Sequence, residues 1–102
     1  MVLNKSDIIS AIKNNEQQLL AFGTSRIGIF GSYAKGTAVK ESDIDILIEF
    51  KKGKKSFKNY TGAYLFLKEL LKKDIDFITP ESLSPYIGPH ILKEVEYVIF
   101  GD

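Results

Sequence analysis

The amino-acid sequence predicts an α/β fold in which helices pack on a small mixed β-sheet, in the order α-β-α-β-α-β-α-(β). Two long segments carry apolar residues at helical spacing, and short runs rich in isoleucine and phenylalanine alternate with the helical segments. Glycine or proline stands at several boundaries between these segments and separates one element from the next. Such alternation is typical of a sheet covered by helices.

The first half of the chain is predicted to begin with a helix over residues 6–22, with Ser6 as its N-cap and Gly23 directly after its end. A strand over residues 26–30 follows, and a short helix over about 31–37 comes next. The residues that form the apolar stripe of the first helix are Ile8, Ile9, Ile12, Leu19 and Leu20.

The second strand is predicted over residues 43–50, because its side chains alternate in character. One face carries Ile44, Ile46 and Ile48, and the other carries Asp43, Asp45, Leu47 and Glu49. A basic loop over 51–56 connects this strand to a helix predicted over 57–72.

The last third of the chain is predicted to begin with a strand over 74–79, which Pro80 ends because proline donates no backbone hydrogen bond. Two short helical pieces are predicted over 81–85 and 88–94. A final strand is predicted over 95–100.

Composition sets further limits. The 102 residues predict one domain over 1–102, and the 44% hydrophobic content argues against disorder. The net charge of +1 predicts no membrane binding and no stable nucleic-acid binding. The absence of cysteine excludes disulfides and thiolate chemistry. Since no signal peptide or membrane-spanning run is evident, the expected location is the cytoplasm.

Two aspartates in the second strand form a candidate metal site. Residues i and i+2 of a strand project from one face, about 6–7 Å apart, so Asp43 and Asp45 can point at one divalent cation. Two carboxylates held this close repel each other unless a cation lies between them. The alternative is a solvated strand that carries its acidic residues toward water.

A Gly-Ser turn precedes the acidic pair. Gly31 permits a ligand to approach the backbone closely, and Ser32 adds a hydroxyl donor where a helix begins. These features favour phosphate binding. The alternative is an ordinary turn from strand to helix, with Ser32 as an N-cap.

The residues of both features together resemble a known family. The segment 31–36, Gly-Ser-Tyr-Ala-Lys-Gly, and the segment 42–48, Ser-Asp-Ile-Asp-Ile-Leu-Ile, are similar to the signature of the polymerase-beta-type nucleotidyltransferases. The chain resembles the minimal nucleotidyltransferases of this superfamily in length and layout over about residues 5–100. These are antitoxin-type domains commonly paired with a helical HEPN protein.

The resemblance implies the metal ligands and catalytic residues. Asp43 and Asp45 would be the carboxylates that bridge two Mg²⁺ ions, and Asp76 would be the third, because the segment 75–80, Ile-Asp-Phe-Ile-Thr-Pro, matches the family pattern. Asp74 is expected to be a solvated residue at the end of the strand, although alternation would place it on the face of Asp76.

The resemblance also implies nucleotide contacts. Gly31 and Ser32 would bind the triphosphate of ATP, and Ser42 belongs to the same motif and to the same nucleotide site. Lys35 would neutralise phosphate charge, with a solvated lysine as the alternative. His90, the sole histidine, is given no catalytic role.

The function implied by the resemblance is Mg²⁺-dependent transfer of a nucleoside monophosphate, AMP from ATP, to a hydroxyl acceptor. The implied acceptor is a tyrosine of a partner HEPN toxin, which makes this chain the antitoxin of the pair. The alternative function is an antitoxin that neutralises its partner by complex formation without catalysis.

Overall fold

The computed structural model describes residues 3–100, and the mixed α/β fold is confirmed. The helices are α1 (Lys5–Asn14), α2 (Glu16–Ala21), α3 (Gly31–Lys35), α4 (Phe57–Leu71) and α5 (Gly88–Glu94), with a 3₁₀ helix at Pro80–Ser82. The strands are β1 (Thr24–Phe30), β2 (Ile44–Phe50), β3 (Ile75–Ile78) and β4 (Glu96–Val98).

The strands form a mixed sheet in the order β3-β2-β1-β4. Strand β1 is antiparallel to both β2 and β4, whereas β2 and β3 are parallel. Strand β3 therefore stands at one edge, and the first residues of β2 lie beside both the end of β1 and the start of β3. This arrangement places the Gly-Ser turn and the predicted acidic residues at the same end of the sheet.

The main core lies between one face of the sheet and helices α1, α2 and α4. The predicted alternation in β2 is confirmed, since Ile44, Ile46 and Ile48 are fully buried while Asp45 and Glu49 are partly exposed. Leu47 lies on the acidic face and is also fully buried. The 3₁₀ helix packs against β2 on its way to α5, so part of this second face is covered as well.

The single helix predicted over 6–22 is wrong, because Asn15 interrupts it. Its backbone leaves the helical region at φ −118° and ψ 23°, and its side-chain amide donates to the carbonyl of Ala11 over 2.8 Å. Asparagine competes for backbone partners in this way, which makes it a common helix terminator. The chain consequently turns between α1 and α2.

The predicted N-cap Ser6 is also wrong, since the N-cap is Asn4. Its side-chain oxygen accepts the N–H of Asp7 at 2.8 Å, and the Asp7 carboxylate accepts the N–H of Asn4 at 3.1 Å. This reciprocal capping box satisfies two backbone donors, and Asp7 adds favourable charge to the first turn.

Other boundaries shift slightly. Helix α4 ends one residue before the predicted boundary, because Lys72 adopts a left-handed conformation with φ 53°. The helical piece predicted over 81–85 is instead the 3₁₀ helix Pro80–Ser82. Within residues 3–100, no helix has both the length and the apolar character needed to cross a membrane.

Candidate active site

Two carboxylates lie side by side at the start of β2 and β3. Asp45 and Asp76 are paired directly in the register of these parallel strands. Neighbouring strands lie about 4.8 Å apart, and paired positions project their side chains from the same face. The structure thus brings together two of the three carboxylates that were predicted as metal ligands.

The third predicted carboxylate, Asp43, acts on Asp45. It is exposed and lies immediately before β2, two residues ahead of Asp45. Burial, followed by the negative charges of Asp76 and Asp43, raises the pKa of Asp45 to about 6. Asp76 and Asp43 are therefore close enough to oppose the ionisation of Asp45.

Gly31 connects the phosphate-binding turn to these carboxylates. It follows Phe30, which pairs with Asp45 across β1 and β2, and its φ of +72° is a conformation that favours glycine. A Cβ atom at this position would collide with the Asp45 carboxylate. The backbone of the turn therefore touches the acidic group directly, so the two predicted features form one site.

Ser42 shapes the approach to this site. Its hydroxyl accepts the N–H of Val39 at 2.9 Å, and its own N–H donates to the Val39 carbonyl at the same distance. These bonds close the turn that leads into Asp43. The structure gives Ser42 a role in orienting the acidic strand, which sequence reasoning did not assign to it.

Ser32 and Lys35 both lie on α3. Within residues 3–100, the Ser32 hydroxyl makes no hydrogen bond to another protein group, while its carbonyl accepts the N–H of Thr37 at 2.9 Å. The Lys35 ammonium lies 3.1 Å from the Glu94 carboxylate in a half-exposed pair that connects α3 to α5. Such exposed pairs are weak, so Lys35 can exchange this partner for a phosphate.

Asp74 and His90 both have exposed side chains. The Asp74 side chain is 77% exposed and pairs with Lys68 of α4 at 3.5 Å, which agrees with the expectation of a solvated residue. It precedes β3, so the alternation of that strand does not extend to it. His90 is exposed on α5.

The donor set of Asp43, Asp45 and Asp76 suits a hard divalent cation. Mg²⁺ binds carboxylate oxygens and keeps several of its waters. In the described part of the chain, no three acidic, histidine or cysteine side chains are placed so that they could hold a metal ion together. Asp43 and Asp76 are exposed, so their carboxylates are free to reorient, and a cation would relieve the repulsion at Asp45.

Sequence reasoning missed a groove beside Asp76, called here the edge groove. It runs along the outer side of β3, between the start of α4 and the 3₁₀ helix. Its lining includes Lys55, Phe57, Tyr60, Ile78, Thr79 and Ser82. The signal in the sequence is the aromatic start of the helix, Phe57, directly after the basic loop over 51–56.

Comparison with known proteins identifies the family. Residues 8–98 match the family described as Nucleotidyltransferase domain. The chain is 34% identical over 98 residues to protein adenylyltransferase MntA of Thermococcus cleftensis, covering 95% of this chain and 98% of that protein. It is 41% identical over 81 residues to a Methanocaldococcus jannaschii protein described as a protein adenylyltransferase, covering 79% and 86%.

Solved structures share the fold. A structure described as a minimal nucleotidyltransferase superposes with a TM-score of 0.78 at 24% identity, covering 92% of this chain and 95% of that one. The structure of a tri-AMPylated HEPN toxin from Shewanella oneidensis in complex with its MNT antitoxin gives a TM-score of 0.59 at 20% identity, covering 92% and 73%.

The fold, the Gly-Ser turn and the acidic strand pair together define a nucleotidyltransferase. More narrowly, the chain belongs to the minimal nucleotidyltransferases of the nucleotidyltransferase domain family. The resemblance seen in the sequence is confirmed.

Proposed function

We propose that this chain transfers AMP from ATP to a tyrosine hydroxyl of a HEPN toxin and thereby acts as the antitoxin of the pair. The observation that carries the proposal is the in-register pairing of Asp45 with Asp76, directly beside the turn at Gly31. This arrangement offers oxygen ligands for metal next to a backbone that can approach phosphate closely.

The relatives support the acceptor and the partner. The relative from Thermococcus cleftensis is named a protein adenylyltransferase, which supports a protein acceptor. The complex from Shewanella oneidensis joins an MNT antitoxin to an AMPylated HEPN toxin, which supports the partner. A further toxin–antitoxin structure with the same fold contains AMP-PNP, which supports ATP as the nucleotide.

The proposed roles of the acidic residues follow from their positions. Asp43 and Asp45 would hold Mg²⁺, and Asp76 would complete the site on the side of the acceptor. Bound Mg²⁺ would neutralise the triphosphate and lower the pKa of the acceptor hydroxyl. Asp45 is poorly stabilised as a free carboxylate, since its pKa is raised to about 6, so it gains most from a neighbouring cation.

The Gly31 turn holds the triphosphate, and the unpaired Ser32 hydroxyl supplies a donor to it, with Lys35 and the Ser42 turn beside it. The acceptor oxygen forms a bond to the α-phosphorus while the bond between that phosphorus and the bridging oxygen breaks. Pyrophosphate leaves, and the proton of the hydroxyl passes to Asp76 and then to water. Positioning and charge neutralisation supply most of the rate.

The test is the intact mass of a HEPN protein before and after incubation with this chain, ATP and Mg²⁺. The proposal predicts that the partner gains whole AMP units and that its toxicity is lost. The double variant Asp43→Asn/Asp45→Asn is expected to leave the mass of the partner unchanged while it still forms the complex.

The alternative of masking without catalysis makes the opposite prediction. If the double variant neutralises a co-expressed toxin as fully as the original chain does, complex formation alone suffices and the catalytic proposal fails. If neutralisation is lost while the complex persists, masking is excluded.

A further inference from the structure

The edge groove has an unusual aromatic residue at its mouth. Phe57 is the first residue of α4 and is 86% exposed. Behind it, the ring of Tyr60 lies 5.1 Å from the ring of Phe77 at an interplanar angle of 54°. The groove therefore presents an open aromatic surface with a packed aromatic floor, which suits another ring.

The polar groups of the edge groove are anchored. The Tyr60 hydroxyl donates to the Phe77 carbonyl on the outer side of β3 over 2.6 Å. Lys55, at the end of the basic loop, lies 2.7 Å from Glu81 in the 3₁₀ helix. This ion pair spans the two walls of the groove but is exposed and therefore weak, so the Tyr60 hydrogen bond is the contact that fixes the floor.

The groove lies at the outer edge of β3 and reaches both faces of the sheet. The side chain of Phe77 projects from the helix-covered face, whereas those of Asp76 and Ile78 project from the acidic face. Asp76 immediately precedes Phe77 on β3. Burial raises the pKa of the Tyr60 hydroxyl at the groove floor, the charge of Lys55 lowers it, and the charge of Asp76 raises it again.

The Gly31 turn lies on the opposite side of Asp45, at the end of β1. The order across the sheet is therefore the phosphate turn, the acidic pair and the edge groove.

This order matters because nucleotidyl transfer is an in-line displacement. The attacking oxygen and the leaving pyrophosphate lie on opposite sides of the reacting phosphorus. With pyrophosphate held at Gly31, the acceptor must approach from the side of Asp76.

We propose that the edge groove binds the phenol ring of the acceptor tyrosine, stacked on Phe57 and Tyr60, with its hydroxyl directed toward Asp76. The inference rests on the proposed function for the identity of the acceptor. It assigns to Phe57 and Tyr60 a role in selecting an aromatic acceptor.

The test uses the variant Phe57→Ala, with Leu65→Ala as the matched control. Leu65 is 57% exposed on the same helix and lies outside the groove, so both variants remove one exposed apolar side chain. With a HEPN partner as acceptor, Phe57→Ala is expected to raise the KM for the partner about two- to tenfold, as loss of one aromatic contact does. The KM for ATP should stay unchanged in both variants.

A second measurement needs no partner. N-acetyltyrosinamide is titrated into the ¹⁵N-labelled chain with Mg²⁺ and AMP-PNP present, and N-acetylleucinamide serves as the control probe. Saturable shifts of the Tyr60, Ile78 and Thr79 amides with the tyrosine probe alone support the proposal. Absent shifts, or equal shifts with both probes, overturn it.

The two proposals fail in different ways. If Phe57→Ala weakens AMP-PNP binding instead of acceptor binding, the groove holds the nucleoside base and the inference is overturned. If AMP transfer to the partner proceeds with an unchanged KM in Phe57→Ala, the inference fails while the proposed function stands. If the tyrosine probe binds but no partner is ever modified, the proposed function fails while the groove assignment stands.

Discussion

Asp45 is the central residue of the site, because burial and two neighbouring carboxylates all act on its side chain. It is partly buried, it pairs with Asp76, and it follows Asp43 by two positions. Its raised pKa means that the folded chain without metal binds a proton more readily than the unfolded chain does. The Asp45 carboxyl group therefore contributes to the stability of the folded chain at a pH below its pKa in the unfolded chain. This contribution is lost as the pH rises through about 6, the pKa of Asp45 in the folded chain.

The variant Asp45→Asn is therefore expected to be more stable than the original chain near neutral pH without divalent metal. The gain should be about 1 kcal/mol after allowance for solvent screening, and it should vanish toward about pH 4. Urea unfolding in the presence of a chelator measures it. Added Mg²⁺ should reduce the difference in the free energy of unfolding between the variant and the original chain, because it stabilises the original chain alone. A difference that does not change with pH would contradict the raised pKa of Asp45.

Gly31 offers a second test at the residue scale. The substitution Gly31→Ala imposes a left-handed conformation on alanine and drives its Cβ into the Asp45 carboxylate. Gly53→Ala is the matched control, since Gly53 has a φ of +77° with nothing within 4 Å of an added Cβ. Both substitutions should lower the free energy of unfolding by about 1 kcal/mol, because each forces alanine into a left-handed backbone conformation.

Only Gly31→Ala should lose more stability than this and also lose AMP-PNP binding, which calorimetry detects. Equal nucleotide affinity in the two variants would show that the close approach at Gly31 is not part of the nucleotide site.

At the scale of elements, the sequence predicts most of the strands because their alternation is strong. The face occupied by Ile44, Ile46 and Ile48 is one example. The sequence does not predict the break at Asn15, because apolar residues continue at helical spacing on both sides of it. The hydrogen bond from the Asn15 side chain to the Ala11 carbonyl, which competes with the helix, leaves no recognisable pattern in the sequence.

The helix start was mispredicted for a similar reason. Asn4 and Ser6 are both good N-caps, and only the partner at Asp7 decides between them. The variant Asn4→Ala is expected to lower the free energy of unfolding by about 1 kcal/mol, since it removes the capping box.

The variant Ser6→Ala is the control and should change stability by less than about 0.5 kcal/mol, because Ser6 is exposed within α1 and caps nothing. Chemical denaturation of both variants decides the point, and a larger loss in Ser6→Ala would contradict the capping assignment.

At the scale of the whole molecule, the order of the strands in the sheet brings residues from separate motifs together into one site. The residues Asp43, Asp45 and Asp76 could be named from their motifs, but their pairing depends on the parallel register of β2 and β3, which no local pattern encodes. The edge groove could not be predicted for the same reason, since it combines α4, β3 and the 3₁₀ helix. The sequence places Phe57 at the start of a helix but does not show that its side chain is exposed.

The central claim is that Asp76, next to Asp45, is a member of the catalytic group. The most direct test compares Asp76→Asn with Asp74→Asn in the transfer of radioactive AMP from ATP to a HEPN partner. Both variants remove one exposed carboxylate from the same end of β3, so they share any general effect of charge. The account predicts that Asp76→Asn loses activity by about a hundredfold or more while Asp74→Asn stays within about twofold. Equal activity of the two variants would contradict it.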